Sequence, residues 1–595
     1  MPRALILIRL LVAAAGLSHA ASQPNVIVII TDDQGYGDLS CHGNPVLQTP
    51  AMDKLHEQSV RLTNFHVDPT CAPTRGALLT GKYSHRARIW HTIAGGNNMR
   101  ESEVTMADIF KANGYRTGCF GKWHLGASYP YRPMDRGFEE WVGQGDGGTG
   151  TTADWFTNDR VNDMYIHNGE WEQHDGWAPE VFFDKAMDFM NNADQPFFTY
   201  LATYIPHTPL TIPDKSWADK YRDKVKLNEA YFFACIEGVD RQIARLDEFL
   251  HKEGLADNTI LIFMTDNGAT GGRTIYNAGM RGKKGQVYEG GHRVPFFIRW
   301  PNGKLAHGCN VDTLTAHIDV FPTLIELCGL NVPTAPDFDG RSFKELLTNP
   351  TASTTARSIA VEKQRTLEPQ KDHNFALMTQ RWRLVQEKKS PIELFDITSD
   401  PAQTTDVANQ HPEVVQSLKA DYDRYWQHVS PNDREIARPI IGTPHETETL
   451  LHASDMYVEG AAWNHAKVAE GPKKIAPYAI RIATDGTYRI EVRRWPREAN
   501  AAMSGVPTLE KTADAWLYNK PAKGLIYGGK MKALPVESVH LTVGAFDQTK
   551  PVSSTDTCTV FEASLKKGEA NLRADLLDEK NNILTSAYYV YVRKM

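Results

Sequence analysis

Continuous runs of β-branched and aromatic residues alternate with helical periods over the first half of the chain. Residues 25–31 (NVIVIIT) are apolar without alternation, as a strand buried on both faces requires. Thr259–Thr265, Pro196–Tyr204 and Val294–Trp300 repeat that texture. Within Leu227–Leu250, Phe232, Ile236, Val239, Ile243, Leu246 and Leu250 recur at three- and four-residue steps, marking one buried face of a long helix. Ile318, Phe321, Ile325 and Cys328 do the same. Buried strands alternating with amphipathic helices predict an α/β layered domain.

The texture changes after about residue 372. NFALMTQRWRLVQ and IELFDITSDP predict two short antiparallel strands, and HPEVVQSLKADYDRYWQHV predicts a helix with Pro412 near its start. Beyond about residue 432 a two-residue period takes over. Ile480/Ile482 and Ile490/Val492 flank the turn Asp485-Gly486 and predict a hairpin. Val539/Leu541/Val543, Leu572/Ala574/Leu576 and Tyr589/Tyr591 carry the alternation to the end of the sequence. The expected organisation is a leader at 1–20, an α/β domain at 21–355, a small subdomain at 356–431 and an all-β domain at 432–595.

Composition narrows the class. A chain of 595 residues, 41% hydrophobic and 23% charged, is globular and long enough for several domains. The net charge of −7, with no long basic run, excludes a nucleic-acid binder that works by neutralising phosphates. Seven scattered cysteines do not make a disulfide framework. At the start, Arg3, the apolar run Ala4–Ala15 and Ser18-His19-Ala20 match the three parts of a signal peptide. That run is shorter than the roughly 20 residues needed to span a bilayer, so the expectation is export to a periplasmic or extracellular space without stable membrane insertion.

Chemistry concentrates where predicted strands end. Thr31-Asp32-Asp33-Gln34-Gly35 follows the first strand, and Thr265-Asp266-Asn267-Gly268 follows another. The carboxyl ends of strands in an α/β sheet converge on one crevice. Three carboxylates and an amide there repel one another unless a cation neutralises them. Oxygen-only donors suit Ca²⁺, or Mg²⁺ with more water, and no Cys/His spacing suggests zinc. Asp-Asp and Asp-Asn-Gly alone are ordinary turns or caps; together they favour a metal. A third segment, CAPTRGALLTG (71–81), has Pro73 suited to a helix's first turn and Gly81 to its end. Cys71 then lies at a helix N-terminus, where the dipole favours an anion.

CAPTRGALLTG resembles the signature of the type I sulfatases, in which C-x-P-x-R directs oxidation of the cysteine to Cα-formylglycine (3-oxoalanine). TDDQGYGD, GKWHLG, PHTPL, TDNG and GKKGQVYEGGHRVP follow in that family's order, and the likeness covers about Asn25 to Val429. It implies an alkaline-phosphatase-like α/β sandwich: a large mixed sheet flanked by helices, with a small α+β subdomain. The all-β domain lies outside the likeness. It further implies one Ca²⁺ held by Asp32, Asp33, Asp266, Asn267 and the modified Cys71. Arg75 would orient residue 71, and Lys122 and Lys284 would bind sulfate oxygens. Lys284 is preferred to Lys283 by its distance to Glu289-Gly290-Gly291. His207 would be the general acid and His124 the base, with Asp266 able to accept the nucleophile's proton.

Hydrated formylglycine is a geminal diol. One hydroxyl attacks sulfur, and the second lets the adduct collapse to the aldehyde and expel sulfate, which a serine ester cannot do. Implied partners are a sulfated glycan or small sulfate ester and a formylglycine-generating or maturase enzyme. Trp155, Trp171 and Trp177, in the insertion 143–177, are candidates to stack on sugar rings. The competing readings are a phosphonate monoester hydrolase or phosphodiesterase of the same superfamily, and an inactive glycan-binding homologue. A phosphatase of the alkaline type would need more histidine ligands.

Overall fold

A computed structural model describes residues 23–332, 336–432, 434–509, 515–522 and 524–595. The leader expected at 1–20 lies outside them. Among the described residues no helix is long and apolar enough to cross a membrane.

The organising element is a ten-stranded mixed sheet. Its order is Cys309–Val311, Val60–Leu62, Phe296–Arg299, Thr259–Thr265, Asn25–Thr31, Phe197–Ala202, Arg116–Lys122, Glu140–Gln144, Met164–His167 and Glu170–Gln173. The five strands from Thr259–Thr265 to Glu140–Gln144 run parallel. The apolar run at 25–31 is explained by its position in the middle. Ile27 and Ile29 enter one core with Phe182, Phe232, Ile236 and Leu246, from the helices Ala178–Asn191 and Leu227–Lys252. Val26, Val28 and Ile30 enter the opposite core with Leu78, Phe110 and Phe321, from Cys71–Thr80, Met106–Ala112 and Val320–Cys328. A strand with a core on each side has no polar face to write into its sequence.

Residues 359–396 form a four-stranded antiparallel sheet, Ile359–Glu362, Phe375–Met378, Trp382–Gln386 and Glu393–Asp396, backed by the helix Pro412–Val429. The two strands expected here are therefore three, because NFALMTQRWRLVQ folds back on itself, Phe375 opposite Gln386 and Met378 opposite Arg383.

The C-terminal region holds two further sheets around one core. Here the predicted hairpin is wrong. Tyr478–Ile482 pairs with Gly568–Leu577, whereas Gly486–Arg493 pairs with Thr559–Leu565 and Tyr589–Lys594 in the other sheet. Ile480, Ile482, Ile490 and Val492 are all buried in the shared core, so two facing sheets satisfy the same alternation that a hairpin would. The pattern fixes which side chains point inward, not which strand is the partner.

Candidate active site

Parallel register brings the chemistry together. Thr31 lies opposite Thr265, Ile30 opposite Ala202, and Ala202 opposite Gly121. The segments that follow, carrying Asp32-Asp33, Asp266-Asn267, His207 and Lys122–His124, therefore emerge at one end of the sheet. Asp33 and His124 hold positive φ, 69° and 66°, a backbone state that costs on the order of 1–3 kcal/mol and recurs at working sites.

The acidic residues meet as the sequence predicts. Asp266 Oδ1 accepts the Asp33 amide at 3.2 Å, and Asp33 Oδ1 accepts Asn267 Nδ2 at 3.0 Å. Three cations and a histidine surround them. Lys122 Nζ is 2.5 Å from Asp32 Oδ2, Lys284 Nζ is 2.5 Å from Asp33 Oδ1, and Arg75 Nη2 is 2.9 Å from Asp266 Oδ2 and 3.5 Å from Asp32 Oδ2. The histidine is His207, whose Nε2 is 3.9 Å from Asp33 Oδ2. Lys283 forms no ion pair among the described residues.

Two buried oxygens, Asp32 Oδ1 and Asn267 Oδ1, have no hydrogen-bond partner, although such atoms are almost always satisfied. Burial pushes both Asp32 and Asp266 up. Lys122, His207, Lys284 and Arg75 reverse this for Asp32, holding it well below the usual carboxylate range, while Asp266, facing Asp32, stays well above it. Two neighbouring buried carboxyls pushed in opposite directions, beside two orphaned hard oxygens, are what a divalent cation would relieve. The donor set fits Ca²⁺.

Cys71 opens the helix Cys71–Thr80, whose ten residues are all buried, and Gly81 ends it at φ 66°. Thr70 caps it without a side-chain hydrogen bond. Cys71 Sγ lies 3.4 Å from His124 Nδ1, and His124 Nε2 donates to the Thr92 carbonyl at 2.9 Å. That donation leaves the Nδ1 lone pair facing residue 71. Burial, with Lys122 nearby, pushes the His124 pKa down to about 3, so the imidazole is neutral. His207 is likewise lowered to about 4 by burial and Lys284. Its Nδ1 donates to the Thr208 carbonyl at 2.6 Å, turning Nε2 toward the acidic cluster.

Lys284 reaches the site because the Glu289-Gly290-Gly291 turn packs on TDNG. Gly268 donates to the Gly291 carbonyl at 2.9 Å, and a Cβ on Gly268 would lie 1.9 Å from the Gly290 oxygen. Lys284 N then bonds the Ala269 carbonyl at 3.3 Å. Against the lowering that burial imposes, Asp33 and Cys71 hold the Lys284 ammonium well above its ordinary pKa.

Sequence reasoning missed two residues here. Arg160, fully buried, sends Nη1 to the His207 carbonyl at 2.9 Å and also to that of Pro209. Tyr527, from the C-terminal region, donates its hydroxyl to the Thr208 carbonyl at 3.1 Å, the same oxygen that His207 uses. Neither sits in a motif, so no local signal marked them. The tryptophan expectation also needs correction. Trp177 is fully buried, its ring against Gly238 and Trp217. Trp155 and Trp171 pack on each other at 5.5 Å and border a groove that shares no lining residue with the acidic site.

Comparison with known proteins agrees with this geometry. The Sulfatase family profile matches residues 24–330, more than half of the chain. The profile of the N-sulphoglucosamine sulphohydrolase C-terminal region matches residues 282–427. Human arylsulfatase A (Homo sapiens) is 32% identical over 367 residues, 57% of this chain and 70% of that protein. Mouse arylsulfatase J (Mus musculus) is 28% identical over 462 residues, 67% and 75% of the two chains. Among solved structures, Ps i-CgsB in complex with k-i-k-neocarrahexaose superposes with a TM-score of 0.63 at 25% identity, covering 69% of this chain and 94% of its own. The fold is that of the sulfatases, a large mixed sheet flanked by helices, with additional β-sheets in the C-terminal region. The chain belongs to the sulfatase family and is a sulfuric ester hydrolase.

Proposed function

We propose that this enzyme removes sulfate from sulfated glycans through a formylglycine made from Cys71, with one Ca²⁺ held by Asp32, Asp33, Asp266, Asn267 and the modified residue. The observation that carries the reading is the pairing of Cys71 Sγ with a neutral His124 beside two orphaned buried oxygens. Once in place, the formylglycine hydrate supplies the nucleophile and the Ca²⁺ draws charge from the sulfate oxygens.

The protein's own residues divide the remaining work. Lys122 and Lys284 carry fixed positive charge to the sulfate, their ammonium groups already paired with Asp32 and Asp33 and therefore positioned before substrate arrives. Arg75 holds Asp266 through two hydrogen bonds, at 3.2 and 2.9 Å, and so fixes the wall behind residue 71. His124, proton on Nε2, presents Nδ1 as the base for the second half of the reaction. His207 presents Nε2 to the leaving oxygen as general acid, and an anionic substrate beside it favours the protonated ring.

A glycan substrate is supported by the neocarrahexaose bound to Ps i-CgsB. Export, conversion of Cys71 by a maturase, and the division into domains at 21–355, 356–431 and 432–595 complete the reading. The test compares turnover of an aryl sulfate, an aryl phosphonate and defined sulfated oligosaccharides, before and after chelation. Sulfate release that needs Ca²⁺ and exceeds phosphonate cleavage is expected. Faster phosphonate cleavage, or activity indifferent to chelation, would reject the reading.

A further inference from the structure

A second cluster of ligating side chains has different donor chemistry. Cys41, His42 and His56 each offer one ligand atom, all within 4.8 Å of one another. Cys41 and His42 belong to the turn Ser40–His42, and His56 to the last turn of the helix Pro50–Glu57. Asp53 fixes the turn, accepting the Cys41 amide at 3.0 Å, Ser40 Oγ at 2.6 Å and Thr49 Oγ1 at 2.9 Å. The His42 ring stacks on Tyr36 at 4.0 Å, and its Nδ1 donates to the Tyr36 carbonyl at 2.8 Å. That leaves Nε2 as the ligating atom, oriented by an outer hydrogen bond as metal-bound histidines are.

The three residues border a pocket of about 320 Å³. Arg61 also lines it, but its guanidinium is committed to Asn310 Oδ1 and to the carbonyls of His56 and Gly308. A thiol and two imidazoles select a borderline ion such as zinc over calcium, which takes oxygen. In this half-buried cluster the Cys41 thiol also faces the Asp53 carboxylate. The fully buried histidine cluster is more firmly committed, with His66 and His292 bonding each other at 2.9 Å and Glu289 taken by Arg383 at 2.6 Å.

We propose that Cys41, His42 and His56 form a zinc site, with a water or external ligand from the pocket as fourth donor. Binding releases the thiol proton to solvent and changes no oxidation state. The ion would tie the segment that follows Asp32-Asp33 to the helix Pro50–Glu57, independently of the calcium site.

Cobalt(II), added to the calcium-loaded full-length protein, is the probe. One equivalent is expected to give a thiolate-to-cobalt charge-transfer band and the intense visible bands of four-coordinate cobalt, both displaced by zinc. Cys41→Ser abolishes the charge-transfer band, and His56→Gln, on a helix surface, weakens cobalt affinity about tenfold or more. Cys71→Ser and Cys309→Ser leave the spectrum intact. Absence of a sulfur band in the parent protein, its survival in Cys41→Ser, or its loss in Cys71→Ser would overturn the assignment.

Discussion

Asp32 and Asp266 each stand one residue beyond Thr31 and Thr265, which are register partners on adjacent parallel strands. The sheet itself therefore forces like charges together, and the side chains around them read as compensation. Lys122 is the strongest single case, its ammonium and the Asp32 carboxylate both fully buried. Lys122→Ala is expected to lower kcat on an aryl sulfate by on the order of 10²–10³. Unchanged kcat in a folded variant would remove Lys122 from the site. A second expectation needs no turnover. Ca²⁺ at about 100 times its Kd stabilises the parent protein by about 2.7 kcal/mol, raising Tm, whereas Asp32→Asn loses most of that rise; an equal rise in both would place the ion elsewhere.

At the scale of elements, the site depends on turns packed against strand ends. Gly268→Ala drives a methyl into the Gly290 carbonyl. It is expected to destabilise by about 1–3 kcal/mol and to raise KM for sulfate esters as Lys284 moves away; wild-type KM would contradict this. Tyr527→Phe removes one of the two donors on the Thr208 carbonyl. Loss of about 1 kcal/mol of positioning, roughly fivefold in rate, should fall more heavily on alkyl sulfates, which need the acid, than on activated aryl sulfates. An equal effect on both would make Tyr527 merely structural. These elements also show what the sequence could tell. Asp32, Cys71 and Asp266 were legible because each sits beside a strand or helix end whose burial is written in its own neighbours, whereas Lys122 was marked only by the family likeness of GKWHLG. Arg160 and Tyr527 were not, because their role is to touch a carbonyl of a distant loop, and a hydrogen bond to backbone leaves no pattern in the partner's sequence. Trp177 failed for a related reason: an indole in a glycine-rich insertion reads the same whether it faces sugar, another indole or the core.

Over the whole molecule, the C-terminal region is bonded to the α/β part at many points, of which His465 is one. Its amide bonds the Gly150 carbonyl at 3.0 Å and its ring lies 5.1 Å from Phe156. Burial, with His452 nearby, lowers its pKa to about 3. The unfolded chain binds this proton below pH 6.5 and the folded chain does not until near pH 3, so its contribution is intact at neutral pH and is lost as pH falls through that window. Between pH 7 and 5 the loss is on the order of 2 kcal/mol. His465→Gln should flatten the fall in Tm over that range, and an unchanged slope would show that the ring protonates freely. The two-residue period made the β character of this region legible. Strand pairing was not, since inward-facing alternation is common to a hairpin and to two facing sheets.

The most direct test of the account is mass spectrometry of the peptide containing residue 71, from enzyme whose turnover has been measured on the same sample. The mass of an aldehyde in place of the thiol is expected, with activity rising in proportion to the converted fraction. Full activity from protein carrying only the free thiol would contradict it.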